Sequence, residues 1–494
     1  MDIDSKLTQT MREHPHQVAI ESEGRPITFN ELHQSRNSFA SFLRSKQIIK
    51  GDRVALFAPS SISLVISFLG IFRNGSIVIP VNPQFREQEL MHLLSDSGAK
   101  AIIADSEHAA FINSIQSQVP HLKEIILIEE LKDMGAWHQI APESREKLEA
   151  DDIAAIFYTS GTTGKPKGAA LSHKNIIFNL EALEKIWEWT ERDVLLHTLP
   201  LYHVHGLLIA LLGSLLVGNK IILKKKFEAA DALNTISEKQ ITLFMGVPTM
   251  YFRMAECGIV TDLSSMRLFI SGSAPLSKEL FQRFRQRFGF EILERAGMTE
   301  TMMNFSNPVH GIRIPGSVGF PLPGVEVKIL DDEHKECSPG ALGEIALRGP
   351  NVFSGYWQNA DATARSFHQG WFLTGDLGKV DDDGRVYIHA RKKDVIKSGG
   401  ILIFPHEVEE VIESMPQVKE CAVIGIPDDE FGEVIKACVV LNDEATTPEQ
   451  IMDHCKMHLA SYKKPRQVEF FPALPKNNMG KILKEQLRKQ SVIS

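Results

Sequence analysis

The stretch FYTSGTTGKPKGAA, residues 157–170, sets three glycines, two lysines and a row of hydroxyls between an apolar strand and an expected helix. Gly161 and Gly164 permit positive φ and close approach of backbone to a ligand. Successive backbone N–H groups in such a turn form an anion nest. Thr159, Ser160, Thr162 and Thr163 add hydroxyl donors, and Lys165 and Lys167 add charge. The chemistry suits a polyphosphate. It is not the common P-loop, which needs G-x-x-x-x-G-K-[ST]. Thr159 stands where the first glycine of that motif belongs, and Pro166 follows the lysine where a hydroxyl residue is required.

Working outward, strands and helices alternate on both sides of this loop. RVALF (53–57), SIVIP (76–80), AKAIIAD (99–105) and EIILI (124–128) read as buried strands. Thr28 followed by Glu31 reads as a capping box opening a helix. The alternation predicts a layered α/β fold. From about residue 312 the texture changes to short strands punctuated by Gly and Pro, expected to form a β-rich subdomain over about 312–390. ARKKD (390–394) is a charged hinge candidate. Beyond it, PHEVEEVIESM and PEQIMDHCKMHLA read as helices, VKECAVIGI and EVIKACVVL as strands. The reading is an α/β multidomain chain: a large domain over 1–390, a hinge at 391–394, and a small α+β domain over 395–494.

The chain of 494 residues is too long for one ordinary core. Its formal net charge of −8 disfavours nucleic acid as the main partner. Five scattered cysteines without a CxxC pair argue against a disulfide framework or structural zinc. The polar N-terminus lacks the apolar core of a signal peptide, and LLIALLGSLLVG (207–218) is too short to span a bilayer, so a cytoplasmic location is expected.

With YTSGTTGKPKGA stand LPLYHVHG (199–206), SGSAPL (271–276), GMTET (297–301), GWFLTGDLG (370–378), RKKDVIKSGG (391–400) and PKNNMGKI (475–482). These seven collinear motifs resemble those of the adenylate-forming enzymes: acyl-CoA synthetases, firefly-type luciferases and peptide-synthetase adenylation domains. The resemblance covers essentially the whole chain. It implies that a carboxylate attacks the α-phosphate of ATP, giving an acyl adenylate and pyrophosphate, and that a thiol, here CoA, then displaces AMP. Both steps bring anions together, so catalysis is mostly charge neutralisation and positioning.

By the same resemblance, residues 159–168, with Gly161, Gly164, Lys165 and Lys167, hold the β- and γ-phosphates. Glu300, with Thr159, holds Mg²⁺. Ser273, Ala274 and Pro275 wall the adenine side, with Ala296, Gly297, Met298 and Thr299 beside them. Asp376 accepts from the ribose hydroxyls and Arg391 lies nearby. Lys481 reaches the carboxylate and the α-phosphate. The C-terminal domain is mobile and pivots at Lys393, and Lys397, Ser398, Gly399 and Gly400 line the channel for the CoA arm. Ile401 and Ala296 each replace an aromatic common in the family. For Ala296, either Phe305 supplies the missing stacking face, ATP affinity is reduced, or the site is specialised.

His203 and His205, two apart, would share a face on a strand. Nearby Cys or acidic partners for zinc are lacking. The resemblance makes His203 a gate to the acyl pocket and sets His205 and Met302 at its wall. Arg295 stands where most of the family has a small or neutral residue. An unpaired buried guanidinium is costly, yet it grips a second carboxylate bidentately. Arg253 could add a second cation. This combination resembles the malonyl-CoA synthetases, with malonate or a similar short dicarboxylate as substrate; a short- or medium-chain fatty acid or oxalate is the alternative. Two other fates stay open for these residues: Arg295 could pair with Glu294 or Glu291, and Arg253 could be a surface residue on a helix.

Overall fold

A computed structural model describes residues 2–130, 147–159, 166–442, 445–476 and 482–493. Two large sheets carry the first part of the chain. One has seven strands in the order Gly355–Tyr356, Lys167–Ser172, Ile153–Thr159, Ile77–Pro80, Arg53–Phe57, Ala101–Ala104 and Glu124–Leu127. From Ile153–Thr159 to Glu124–Leu127 the strands are parallel. Ile77–Pro80 and Ala101–Ala104 are buried throughout, as strands covered on both faces must be. Helices such as Ile62–Asn74 and Glu87–Ser97 supply the cover.

The second sheet has nine strands, with a parallel centre running from Val18–Ser22 through Lys220–Leu223, Val194–His197, Leu243–Gly246 and Leu268–Ser271 to Leu293–Met298. Antiparallel strands close both edges: Arg25–Thr28 on one, Met302–Ser306 and Phe320–Pro321 on the other. The Thr28–Glu31 capping box is present at the helix Phe29–Ser45, with Glu31 Oε2 accepting from the Thr28 N–H at 2.7 Å.

A third, five-stranded sheet contains Glu326–Leu330, Gly343–Arg348, Phe367–His368, Trp371–Val380 and Val386–Arg391. It begins later than residue 312, because Phe320–Pro321 joins the nine-stranded sheet, and it gives up Gly355–Tyr356 to the seven-stranded one. The last sheet combines Ile396–Ser398, Ile401–Ile403, Val418–Asp428 and Gly432–Leu441 with a parallel strand, Gln467–Phe470. Helices Pro405–Glu413 and Pro448–His458 pack on it around Val408, Ile412, Ile451 and Cys455.

Two local expectations need correction. The opening loop does not lead directly into a helix: the chain returns as Lys167–Ser172, antiparallel to Ile153–Thr159 with Thr159 opposite Lys167, and the helix begins only at His173. His203 and His205 are not on a strand. His205 opens a buried π-helix, His205–Leu212, which runs on as the α-helix Gly213–Val217. GMTET, with Glu300, is the turn joining Leu293–Met298 to Met302–Ser306. Among the described residues no helix is long and apolar enough to cross a membrane.

Candidate active site

The strand Leu293–Met298 sends neighbouring side chains to opposite faces. Glu294 turns away from Arg295 and accepts from the Leu276 N–H at 3.1 Å; burial pushes its carboxyl up to about 7. Glu291 pairs instead with Arg285 at 3.3 Å. Arg295 is 2% exposed, and its Nε and Nη2 have no hydrogen-bond partner among the described residues. A Cβ at Gly272 would stand 2.4 Å from Arg295 Nη1, so only glycine lets the guanidinium lie against the SGSAP turn. Burial lowers the Arg295 pKa to about 9, opposed by the Tyr251 hydroxyl, and the group stays cationic at neutral pH. Neither acid that the sequence offered as a partner neutralises it.

His205 faces the same turn. Its Nδ1 lies 3.2 Å from Ser273 Oγ, while Nε2 is buried without a partner among the described residues. Burial first, then the Arg295 charge, holds its pKa well below the ordinary value, so the ring is neutral. His203 is half-buried beside Tyr202, and burial lowers it to about 4. Among the described residues no group of three His, Cys, Asp or Glu is placed to hold a metal ion. Arg253 is corrected: it is exposed on the helix Pro248–Glu256 and takes no part in this buried cluster.

Beside the cluster the surface opens. Ser273 and Pro275 are exposed and Ala274 is half-buried, as are Ala296, Met298 and Thr299, with Gly297 exposed. Met302 is buried at φ +55°, and a Cβ on Gly297 would lie 1.9 Å from its carbonyl oxygen. Phe305 lies opposite Ala296 in the ladder, but at 2% exposure its ring is covered by the core and offers no open stacking face. The idea that it replaces the missing aromatic is therefore withdrawn.

Glu300 is 7% exposed in its turn, and Tyr356 Oη donates to its Oε1 at 2.9 Å. The ring of Tyr356 lies 5.4 Å from Lys167 Nζ, a cation–π contact. Lys167 starts the strand leaving the opening loop, and Pro166 is fixed by a hydrogen bond from His92 Nε2 to its carbonyl, 2.9 Å. Ser160, Gly161, Thr162, Thr163, Gly164 and Lys165 lie outside the described residues, as does Lys481.

Asp376 and Arg391 are cross-strand partners, joined Oδ1 to Nε at 2.8 Å; Arg391 also donates to the Thr374 carbonyl at 3.0 Å. Buried Glu344 accepts from the Gly375 N–H at 3.0 Å and from Lys392 Nζ at 3.1 Å, tying the strand Trp371–Val380 to Lys392. Lys392 also pairs with Asp332 at 3.0 Å. Two residues on, Asp394 pairs with Arg488 of the C-terminal helix Lys484–Ile493 at 2.9 Å. Exposed Lys393 is the single residue between an anchor on one side and an anchor on the other. Lys397 and Ser398 end the strand Ile396–Ser398, and Gly399 and Gly400 make its turn at φ +56° and +80°.

With that geometry in view, the AMP-binding enzyme family matches residues 7–357, and the AMP-binding enzyme C-terminal domain matches 407–481. The chain belongs to the adenylate-forming, AMP-binding enzymes. It is an acid–CoA ligase of that family, with ATP and CoA as co-substrates. A long-chain-fatty-acid–CoA ligase of Yersinia pestis is 34% identical, over 96% of this chain and 92% of its own. A malonate–CoA ligase of Arabidopsis thaliana is 32% identical over 96% of this chain and 86% of its own. The crystal structure of ATP-bound MatB from Rhodopseudomonas palustris superposes with a TM-score of 0.93 at 38% identity, covering 99% of both chains.

Tyr356 and Glu344 carried no role in the sequence reading. Their partners are distant, 56 residues for Tyr356 to Glu300 and 48 for Glu344 to Lys392, and nothing in local spacing signals such a bond.

Proposed function

We propose that this ligase activates malonate or a similar short dicarboxylate. The observation that carries the reading is Arg295: a buried cation whose Nε and Nη2 have no partner among the described residues, next to neutral His205 and the Ser273 turn. Leaving such donors unsatisfied costs stability, and a second substrate carboxylate would meet them bidentately. The malonate–CoA ligase among the relatives supports this reading. His203, half-buried and neutral, would gate the pocket, with Met302 at its wall.

The first carboxylate would be activated where the opening loop, Thr159 and Lys167 gather the phosphates and Lys481 is delivered by the C-terminal domain. Glu300 suits Mg²⁺: one fixed carboxylate leaves the remaining positions to phosphate oxygens and water, which this hard cation prefers. When bound, the ion would neutralise phosphate charge. Asp376 would accept from the ribose, and the SGSAP and GMTET turns would flank the base. Lys393 would serve as the pivot that lets Lys397 to Gly400 face the CoA arm.

Pyrophosphate release with a panel of acids tests the substrate. Malonate should exceed acetate, octanoate and benzoate in kcat/KM by ~100-fold or more, because a site built to bond a polar group rejects analogues lacking it. The second reading, a fatty acid, is favoured by the 34% identical long-chain-fatty-acid–CoA ligase and by the apolar π-helix at 205–212. A preference for octanoate would establish that reading and leave the ligase class intact.

A further inference from the structure

Residues 351–357 run from the GMTET turn to the exit strand of the opening loop and are bonded at both ends. Asn351 Nδ2 donates to the Thr301 carbonyl at 2.9 Å, and the Phe353 N–H to the Glu300 carbonyl at 2.9 Å. At the other end Tyr356 pairs with Ala169 in the ladder, and the Trp357 N–H donates to the Gly168 carbonyl at 2.7 Å. Tyr356 therefore stands on backbone fixed to the GMTET turn at one end and to the strand Lys167–Ser172 at the other. Its two functional contacts point the same way, hydroxyl to Glu300 and ring to Lys167.

We propose that Tyr356 is a positioning residue that sets the Glu300 carboxylate for the metal ion and the Lys167 ammonium for the phosphates as one rigid unit. The proposal rests on the reading that Glu300 holds Mg²⁺. The phenol occupies Oε1 and thereby fixes the carboxylate plane and leaves Oε2 for the cation. The ring holds the Lys167 side chain over its face, which restrains a long, otherwise freely rotating stem. Partners that orient a metal-binding side chain alter metal affinity by ~10–100-fold when removed.

The test measures Mn²⁺ affinity by electron paramagnetic resonance in the intact enzyme with α,β-methylene-ATP, for wild type, Tyr356→Phe, Tyr356→Leu and Glu300→Gln. Tyr356→Phe keeps the ring and removes the hydroxyl; it should weaken Mn²⁺ ~10-fold or more. Its affinity for AMP in metal-free buffer should stay as in wild type, a split that a merely structural role would not give. Tyr356→Leu removes both contacts and should also weaken metal-free α,β-methylene-ATP binding by ~3-fold, the loss of one exposed cation–π contact. Unaltered Mn²⁺ binding in Tyr356→Phe, with Glu300→Gln weakened, would overturn the proposal and keep Glu300 as the metal residue. Unaltered binding in Glu300→Gln would overturn the metal reading and the proposal with it. Equal nucleotide binding by the Phe and Leu variants would remove the lysine half.

Discussion

At the scale of single residues, burial decides charge. Glu294 and Arg295 are neighbours in sequence and both are buried, yet they face different surroundings. Glu294 is pushed up to about 7 from an ordinary 4.5, so below about pH 4.5 it is protonated both folded and unfolded. Between 4.5 and 7 the folded chain binds the extra proton, so stability falls as pH rises through that window and is level above it. Glu294→Gln, which keeps an acceptor for the Leu276 N–H, should therefore stabilise the protein by about 3 kcal/mol at pH 8 and by little at pH 4. Thermal denaturation at the two pH values checks this; equal shifts would contradict the assignment. Sequence reading could name Arg295 as anomalous, because a cation among family motifs stands out. It could not tell that Glu294 and Glu291 are engaged elsewhere, since Leu276 and Arg285 reach them only through the tertiary fold. Arg253 misled for the converse reason: a helix has an outer face, and no local signal said which face the arginine took.

At the scale of elements, strands with continuous apolar runs were legible almost residue for residue. RVALF became Arg53–Phe57, and EVIKACVVL became most of Gly432–Leu441. Turns that depend on distant partners were not. LYHVHGL alternates like a strand but folds as a turn into a π-helix, because its apolar residues are buried on every side and impose no two-residue period. GMTET is a strand-to-strand turn, with Met302 at positive φ just after it. At the proposed hinge, Lys392 is bound to Glu344 and Asp332 and Asp394 to Arg488, with exposed Lys393 between them as the proposed pivot. Lys393→Pro, which fixes φ near −65°, should slow thioester formation by ~10-fold or more while leaving acid-dependent pyrophosphate release within about twofold. Equal loss of both half-reactions would move the pivot elsewhere.

At the scale of the molecule, the chain forms two large sheets, a β-rich sheet and a C-terminal sheet, and the quoted motifs are spread among them. The seven motifs quoted from the sequence announced this assembly, and the match over residues 7–357 and 407–481 accords with it. What holds the motifs in register was silent: Tyr356 reaches from one sheet to Glu300 beside another, and Glu344 ties Gly375 of its own sheet to Lys392. Lys481, outside the described residues, is proposed to act in the adenylation step. Lys481→Ala should abolish pyrophosphate release yet retain thioester formation from a supplied acyl adenylate; stopped-flow assay of each half-reaction decides. The central claim is that Arg295 receives a second carboxylate. The most direct measurement is the ratio of kcat/KM for malonate over butyrate, in wild type and in Arg295→Met. Loss of two charge-assisted hydrogen bonds should lower that ratio by ~100-fold or more, with butyrate turnover maintained or raised. An unchanged ratio would contradict the claim.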